Sequence, residues 1–172
     1  MSGKQKSRLY KLTAGAMMAA LSIILERVIA LMPASNMMDI RISLSNVPII
    51  LAGIVVSPLT GALAGVVSDI VGCFISGYAP FPILTLAPLI MGLFPGFLLG
   101  KSDKYSLVKV VAAIAVSHLV ASVLVTTAGL CIMRGVAFVP MLVTRLPSCG
   151  INLVIDTSLV YLLLKTPLSK KF

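Results

Sequence analysis

The stretch VPIILAGIVVSPLTGALAGVVSDIVGCFIS, residues 47–76, decides the fold class. It runs thirty residues with a single charge, Asp69. About 20 apolar residues cross a bilayer as a helix, so this run is too long for one span and too short for two full ones. Ser57-Pro58 divides it, because proline disfavours helix at the residue before it. The reading is a short second span, about Val47 to Val56, followed by a third from about Leu59 to Ser76. The short span is expected to be tilted or joined to structured flanks.

Working outward, the same criteria give four more spans. The first runs from about Tyr10 to Met32 and ends at Pro33. It is too long for a secretory signal core of roughly 7–15 residues, so it is read as a retained helix. A polar segment, Ala34 to Asn46, follows. Gly77-Tyr78-Ala79-Pro80-Phe81-Pro82 is a turn-rich break. The fourth span is about Ile83 to Gly100, the fifth about Leu107 to Met133, and the sixth about Met141 to Leu164, after a break from Arg134 to Pro140. The expected fold is an all-α integral membrane protein: a six-helix bundle forming one domain, 1–172, with tails of about 1–9 and 165–172.

Charge placement gives an orientation. Ten of the fourteen basic residues fall in three clusters: Lys4, Lys6, Arg8 and Lys11; Lys101, Lys104 and Lys109; Lys165, Lys170 and Lys171. Lysine and arginine stay on the cytoplasmic side of membrane helices, so both termini and the mid-chain break are expected inside the cell. The opposite breaks carry only Arg41 and Arg134 among basic residues. Composition agrees. The chain is 59% hydrophobic and 11% charged, with mean hydropathy +1.10. An ordinary soluble domain is about 25% charged. The net charge of +9 does not imply nucleic acid, because the basic residues flank apolar spans and form no face interleaved with aromatics. Cys73, Cys131 and Cys149 lie far apart in apolar surroundings, which reads as buried small hydrophobes.

Ionisable residues within spans are costly and are functional candidates by default. They are Glu26, Arg27, Asp69, His118, Arg145 and Asp156. At 1.5 Å per residue, Arg27 lies about 8 Å and Asp69 about 10 Å below the outer ends of their spans. Arg145 is about one turn into span six, and Asn152 about two turns further. These four are expected to line an outward-facing pocket. Structural readings stand beside this one. Glu26 or Arg27 could pair with a neighbouring helix, and Asp69 could neutralise an arginine. His118 reads as a helix–helix hydrogen bonder and Asp156 as an anchor. Arg145 could snorkel, and Tyr78 could be an interface anchor or a pocket lid.

Small residues recur at helical spacing: Gly15 with Ala19, Ala16 with Ala20, Gly61 with Gly65. Such pairs let helices approach closely, within the bundle or, for span one, against a partner protein. The chain has no G-x-x-x-x-G-K-[ST] loop, so it is not expected to hydrolyse ATP itself. It has no H-E-x-x-H, no G-x-S-x-G, and no carboxylate or histidine cluster spaced for a metal. No enzymatic activity, cofactor or metal is expected.

Four stretches carry a family resemblance. They are AMMAALSIILERVIA (16–30); DIRISLSNVPIILAGIV (39–55) with SPLTGALAGVVSDIVG (57–72); GYAPFPILTLAPLIMGLFPG (77–96); and TRLPSCGINLVI (144–155). The sequence resembles the substrate-binding S components of energy-coupling-factor (ECF) vitamin transporters, and most closely the folate-type branch. The third stretch departs from the G-P-Y-F-P-G-F-T-L wording common in that branch. The resemblance implies a cell-membrane protein that captures a vitamin from outside. Such proteins dock on a transmembrane coupling protein with two ATPases, through the small-residue motif here at Ala16 and Ala20. It also implies that the loop from Pro33 to Asn46 closes over the ligand. A pterin ring matches a carboxylate and glutamate carboxylates match arginine forks, so Asp69 with Arg27, Arg145 and Arg41 has the polarity a folate needs. Tyr78 and Asn152 complete the expected ligand set. Pantothenate or another carboxylate vitamin would also suit the arginines. A reading from a different class is a membrane enzyme or structural subunit with no solute ligand.

Overall fold

The computed structural model describes residues 3–30, 43–77, 79–100 and 106–166. Within them the chain is all helical. Its elements are α1 (Gly3–Ala30), α2 (Asn46–Leu51), a π-helical continuation (Ala52–Val56), α3 (Pro58–Ile75) and α4 (Pro82–Leu99). Then come α5 (Leu107–His118), a second π-helical stretch (Leu119–Thr126), α6 (Thr127–Arg134) and α7 (Phe138–Lys165). The two π stretches continue their helices, so these pieces make six rods. Five are long and apolar enough to cross a membrane, and the sixth, Asn46–Val56, is short.

The punctuation follows residue chemistry. Ser57 is extended and its Oγ accepts from the Thr60 N–H at 3.3 Å, capping α3, while Pro58 takes the first helical position. Pro82 opens α4 in the same way. Gly135 ends α6 in the left-handed conformation, φ 65°, where a side chain would strain the backbone. Inside the second π stretch, the hydroxyl of Thr126 donates to the Ala121 carbonyl at 2.8 Å, five residues back. Wide turns leave carbonyls that such hydroxyls can satisfy.

The membrane-crossing stretch of α1 starts at Arg8, close to the expected Tyr10, while the helix itself starts at Gly3, so the basic tail is also helical. Lysine, arginine and glutamine are good helix formers, and hydropathy does not register them. α7 starts at Phe138, not Met141, because Pro140 falls in the first turn, where its missing N–H has no intrahelical partner to lose. The end of the first span, near Met32, lies outside the described residues.

The exterior is apolar: Met17 is 73% and Val108 75% exposed, with Leu59, Leu63 and Val67 along one face of α3. This is the surface of a body solvated by lipid. Packing inside rests on glycine. A Cβ on Gly61 would lie 2.5 Å from the Gly53 Cα and 2.7 Å from the Gly92 carbonyl oxygen. The backbones of α3, α4 and the first π stretch therefore meet directly, as small residues allow. Gly15 and Ala19 are buried, with Gly15 against Thr60 of α3, while Ala16 and Ala20 on the adjacent stripe are exposed.

The short rod is central. Val47, Pro48, Ile49 and Ile50 are all buried, and α2 packs against α1, α3, α4 and α7. With its π extension it rises about 16 Å, against about 27 Å for its 18-residue neighbours. Lys11, Val56, Ser57, Pro58 and Gly100 gather at one end of the bundle. The neighbouring helices therefore continue past the start of α2 at the other end of the bundle, beyond Asn46.

Candidate ligand site

The upper halves of α1, α3 and α4 form one wall of this end of the bundle. Arg27 is half-buried and its Nη2 donates to the Gly72 carbonyl on α3 and to the Oγ of Ser76, which caps the end of α3. Thr85 of α4 donates its hydroxyl to the Asp69 carboxylate at 2.7 Å. Glu26, Arg27, Asp69 and Cys73 share one electrostatic neighbourhood. Arg27 and Asp69 thus sit together on one wall, each oriented by a neighbour on another helix. The bond to Asp69 comes from a threonine that no sequence pattern singles out.

The second wall is α7 with α5 and its π continuation. Arg145 and Cys149 are half-buried there, with the Cys149 thiol beside the His118 ring and Ser122. Asn152 is one turn deeper. Its Oδ1 accepts from the backbone N–H of Ser43 at 2.8 Å. One turn below that, Asp156 is completely buried. Its Oδ2 accepts from the Asn46 side chain at 3.2 Å and lies 2.9 Å from the His118 Nε2. His118 and Asp156 thus bridge α5 and α7, as helix-to-helix hydrogen bonders do. Asn46 is the member of this network that the sequence did not flag.

Between the walls, the Ser43–Asn46 corner leads into α2. Ser22 of α1 donates its hydroxyl to the Ser45 carbonyl at 2.8 Å, and the Ser43 and Ser45 hydroxyls pair at 2.8 Å. Arg27 and Asp69 thus stand on α1 and α3, and Arg145 and Asn152 on α7. No helix packing joins α7 to α3 or α4 strongly; α7 rests on α2, α5, the second π stretch and α6. Arg41 and Tyr78 lie outside the described residues. A groove at the opposite end, lined by Lys11, Val56, Pro58, Gly96 and Phe97, has neither a carboxylate nor an arginine and does not match a folate-like ligand. Among the described residues no three histidine, cysteine or carboxylate groups are placed to hold a metal.

The ECF transporter, substrate-specific component family matches residues 10–164. The chain belongs to this family. The S component is thus a multi-span protein of the cell membrane that serves transport and is not an enzyme. Among solved structures, a crystal structure of FolT bound with folic acid matches this S component with a TM-score of 0.74 and 23% identity. The match covers 94% of this chain and 93% of that one. At that identity the likeness establishes a shared fold. No curated protein sequence matches.

Proposed function

We propose that this S component captures folate or a close derivative from outside the cell and delivers it with a coupling protein and two ATPases. What supports this reading is an oriented carboxylate on α3, arginines on α1 and α7, and a fold shared with FolT. Asp69 is placed to accept from the ring N–H and amino groups of a pterin. Arg145 and Arg27, with Arg41, supply guanidinium forks for the tail carboxylates. Tyr78 completes the ligand set of this reading. Asn152 has a different part, developed below.

Coupling would occur on the face of α1 that carries Ala16 and Ala20. Both are exposed there, while Gly15 and Ala19 are already used inside the bundle. The basic clusters place both termini in the cytoplasm. An impermeant thiol reagent on intact cells should then label a cysteine introduced at position 37 and spare one at 104, once the native cysteines are replaced; the reverse pattern would invert the orientation.

The test of function is a binding screen of detergent-purified protein over folic acid, pantothenate, thiamin, riboflavin and biotin. Saturable, one-to-one binding of folic acid is expected. Tight binding of another vitamin with none of folic acid refutes the assignment.

A further inference from the structure

We propose that Asn152 is a positioning residue: together with Asp156 it pins the Ser43–Asn46 corner that floors the vitamin site, and it does not grip the vitamin. The inference rests on reading the chain as a vitamin-binding S component.

The geometry is a two-point clasp. Asn152 and Asp156 are four residues apart on α7, so they share one face, separated by about 6 Å along the axis. The corner presents two donors three residues apart. The Ser43 N–H meets the Asn152 Oδ1 at 2.8 Å, and the Asn46 side chain meets the Asp156 Oδ2 at 3.2 Å. His118, 2% exposed on α5, fixes the same Asp156 oxygen at 2.9 Å. Ser22, 1% exposed on α1, holds the Ser45 carbonyl from the other side. Three long helices thus hold the four residues that lead into α2. Ser43 and Leu44 precede α2, and the Val47 N–H closes a turn onto the Leu44 carbonyl at 3.3 Å. In an apolar interior a donor that loses its acceptor is left costly and unsatisfied, so each clasp bond restricts the corner to one position. A floor held in one place presents the ligand with a fixed surface, and less ordering remains for the vitamin to impose.

Two substitutions separate positioning from contact. Asn152→Asp keeps an oxygen acceptor for the Ser43 N–H but removes the amide N–H donors. Asn152→Leu keeps the volume and removes the acceptor. Folic acid binding to the full-length protein is measured by titration calorimetry, and hydrogen exchange at the Ser43 amide by NMR without ligand. For Asn152→Leu we expect faster exchange at Ser43 and affinity for folic acid weaker by about tenfold. For Asn152→Asp, whose carboxylate would stand one turn from Asp156 and would itself weaken an anionic ligand, we expect Ser43 to stay protected. Fast exchange at Ser43 in Asn152→Asp overturns the proposal. Unchanged Ser43 exchange in Asn152→Leu also overturns it. If the wild-type protein binds no folic acid, the vitamin assignment fails, and the exchange pattern at Ser43 alone decides whether Asn152 holds the corner.

Discussion

Replacing Gly61 by alanine tests the packing on which the site depends. The new Cβ would stand 2.5 Å from the Gly53 Cα, 2.6 Å from the Gly53 nitrogen and 2.7 Å from the Gly92 oxygen. All three are backbone atoms, so no side chain can swing aside. Carbon atoms rest at about 3.5–4.0 Å, so α3 must withdraw by about 1 Å from the π stretch and from α4. A gap of that size forfeits a quarter to a half of the attraction between facing atoms. Overpacking of a rigid core costs about 1–3 kcal/mol, and the backbone nature of the contacts puts this site near the upper value. With the scaling for chains of this length, about 3 kcal/mol corresponds to a fall of about 6–12 °C in melting temperature. The chain has no tryptophan, so unfolding is followed in detergent with a thiol-reactive dye reporting on its three cysteines. The damage should reach the site, because the same α3–α4 seam carries the Asp69–Thr85 bond eight residues further along. Folic acid affinity should fall with stability. Gly150→Ala is the control: a Cβ there meets nothing within 4 Å, and alanine is the better helix former. If Gly61→Ala melts within a degree of the wild type, the backbone contact is not as close as described.

Three further outcomes are expected. Asp156→Leu and His118→Leu should each destabilise the protein by about 3–5 kcal/mol, because each strands a buried polar partner, while the double substitution should recover most of the loss; additive losses in a double-mutant cycle would show that the pair is not coupled. Leucine at both Ala16 and Ala20 should leave melting temperature and vitamin binding unchanged and abolish copurification with the coupling protein, since both positions face outward; a loss of binding in detergent would place that stripe inside the bundle instead. Arg145→Ala should weaken folic acid by about ten- to a hundredfold, the worth of one charge-assisted bond, and weaken an analogue lacking the glutamate carboxylates far less; equal losses would remove Arg145 from the tail site.

Most rod boundaries are legible in the sequence because residues with backbone consequences sit at them. Ser57-Pro58 and Pro82 each stop one helix or start the next. Helix starts that lack such a marker are harder to see. The basic tail continues α1 without any break in helix propensity, and Pro140 looks like a boundary although a first turn tolerates it. The π stretches leave no trace, since Leu119 to Thr126 has the same composition as the helix around it. At the site, the expense of burying charge exposes Arg27, Asp69, His118, Arg145 and Asp156 one by one. Their partners are a different matter. Thr85, Ser43 and Asn46 are ordinary residues whose roles depend on where helices cross. The bonds of Ser43 and Asn46 reach 109 and 110 residues along the chain, beyond any local pattern.

The two walls are built by different physics, and this bears on what each can recognise. The wall of α1, α3 and α4 stands on backbone-to-backbone contact through Gly53, Gly61 and Gly92, which leaves little freedom to rearrange. Asp69, held by Thr85, is therefore fixed before any ligand arrives. On α7 the buried residues are Asp156, Thr157, Val160 and Leu164, all in its last third. The segment carrying Arg145 lies beyond them and has few buried apolar contacts. Segments of that kind open and shift at low cost. A preformed carboxylate suits a rigid, flat ring whose donors must meet it in register. An arginine on a lightly packed arm suits a flexible tail whose carboxylates vary in position. The clasp at Asn152 and Asp156 marks the border between the two regimes: from Asp156 on α7 buries residues in the bundle, and before it none of its residues is fully buried. Strong discrimination by Arg145 between folic acid and its tail-less analogue is what this division of labour requires.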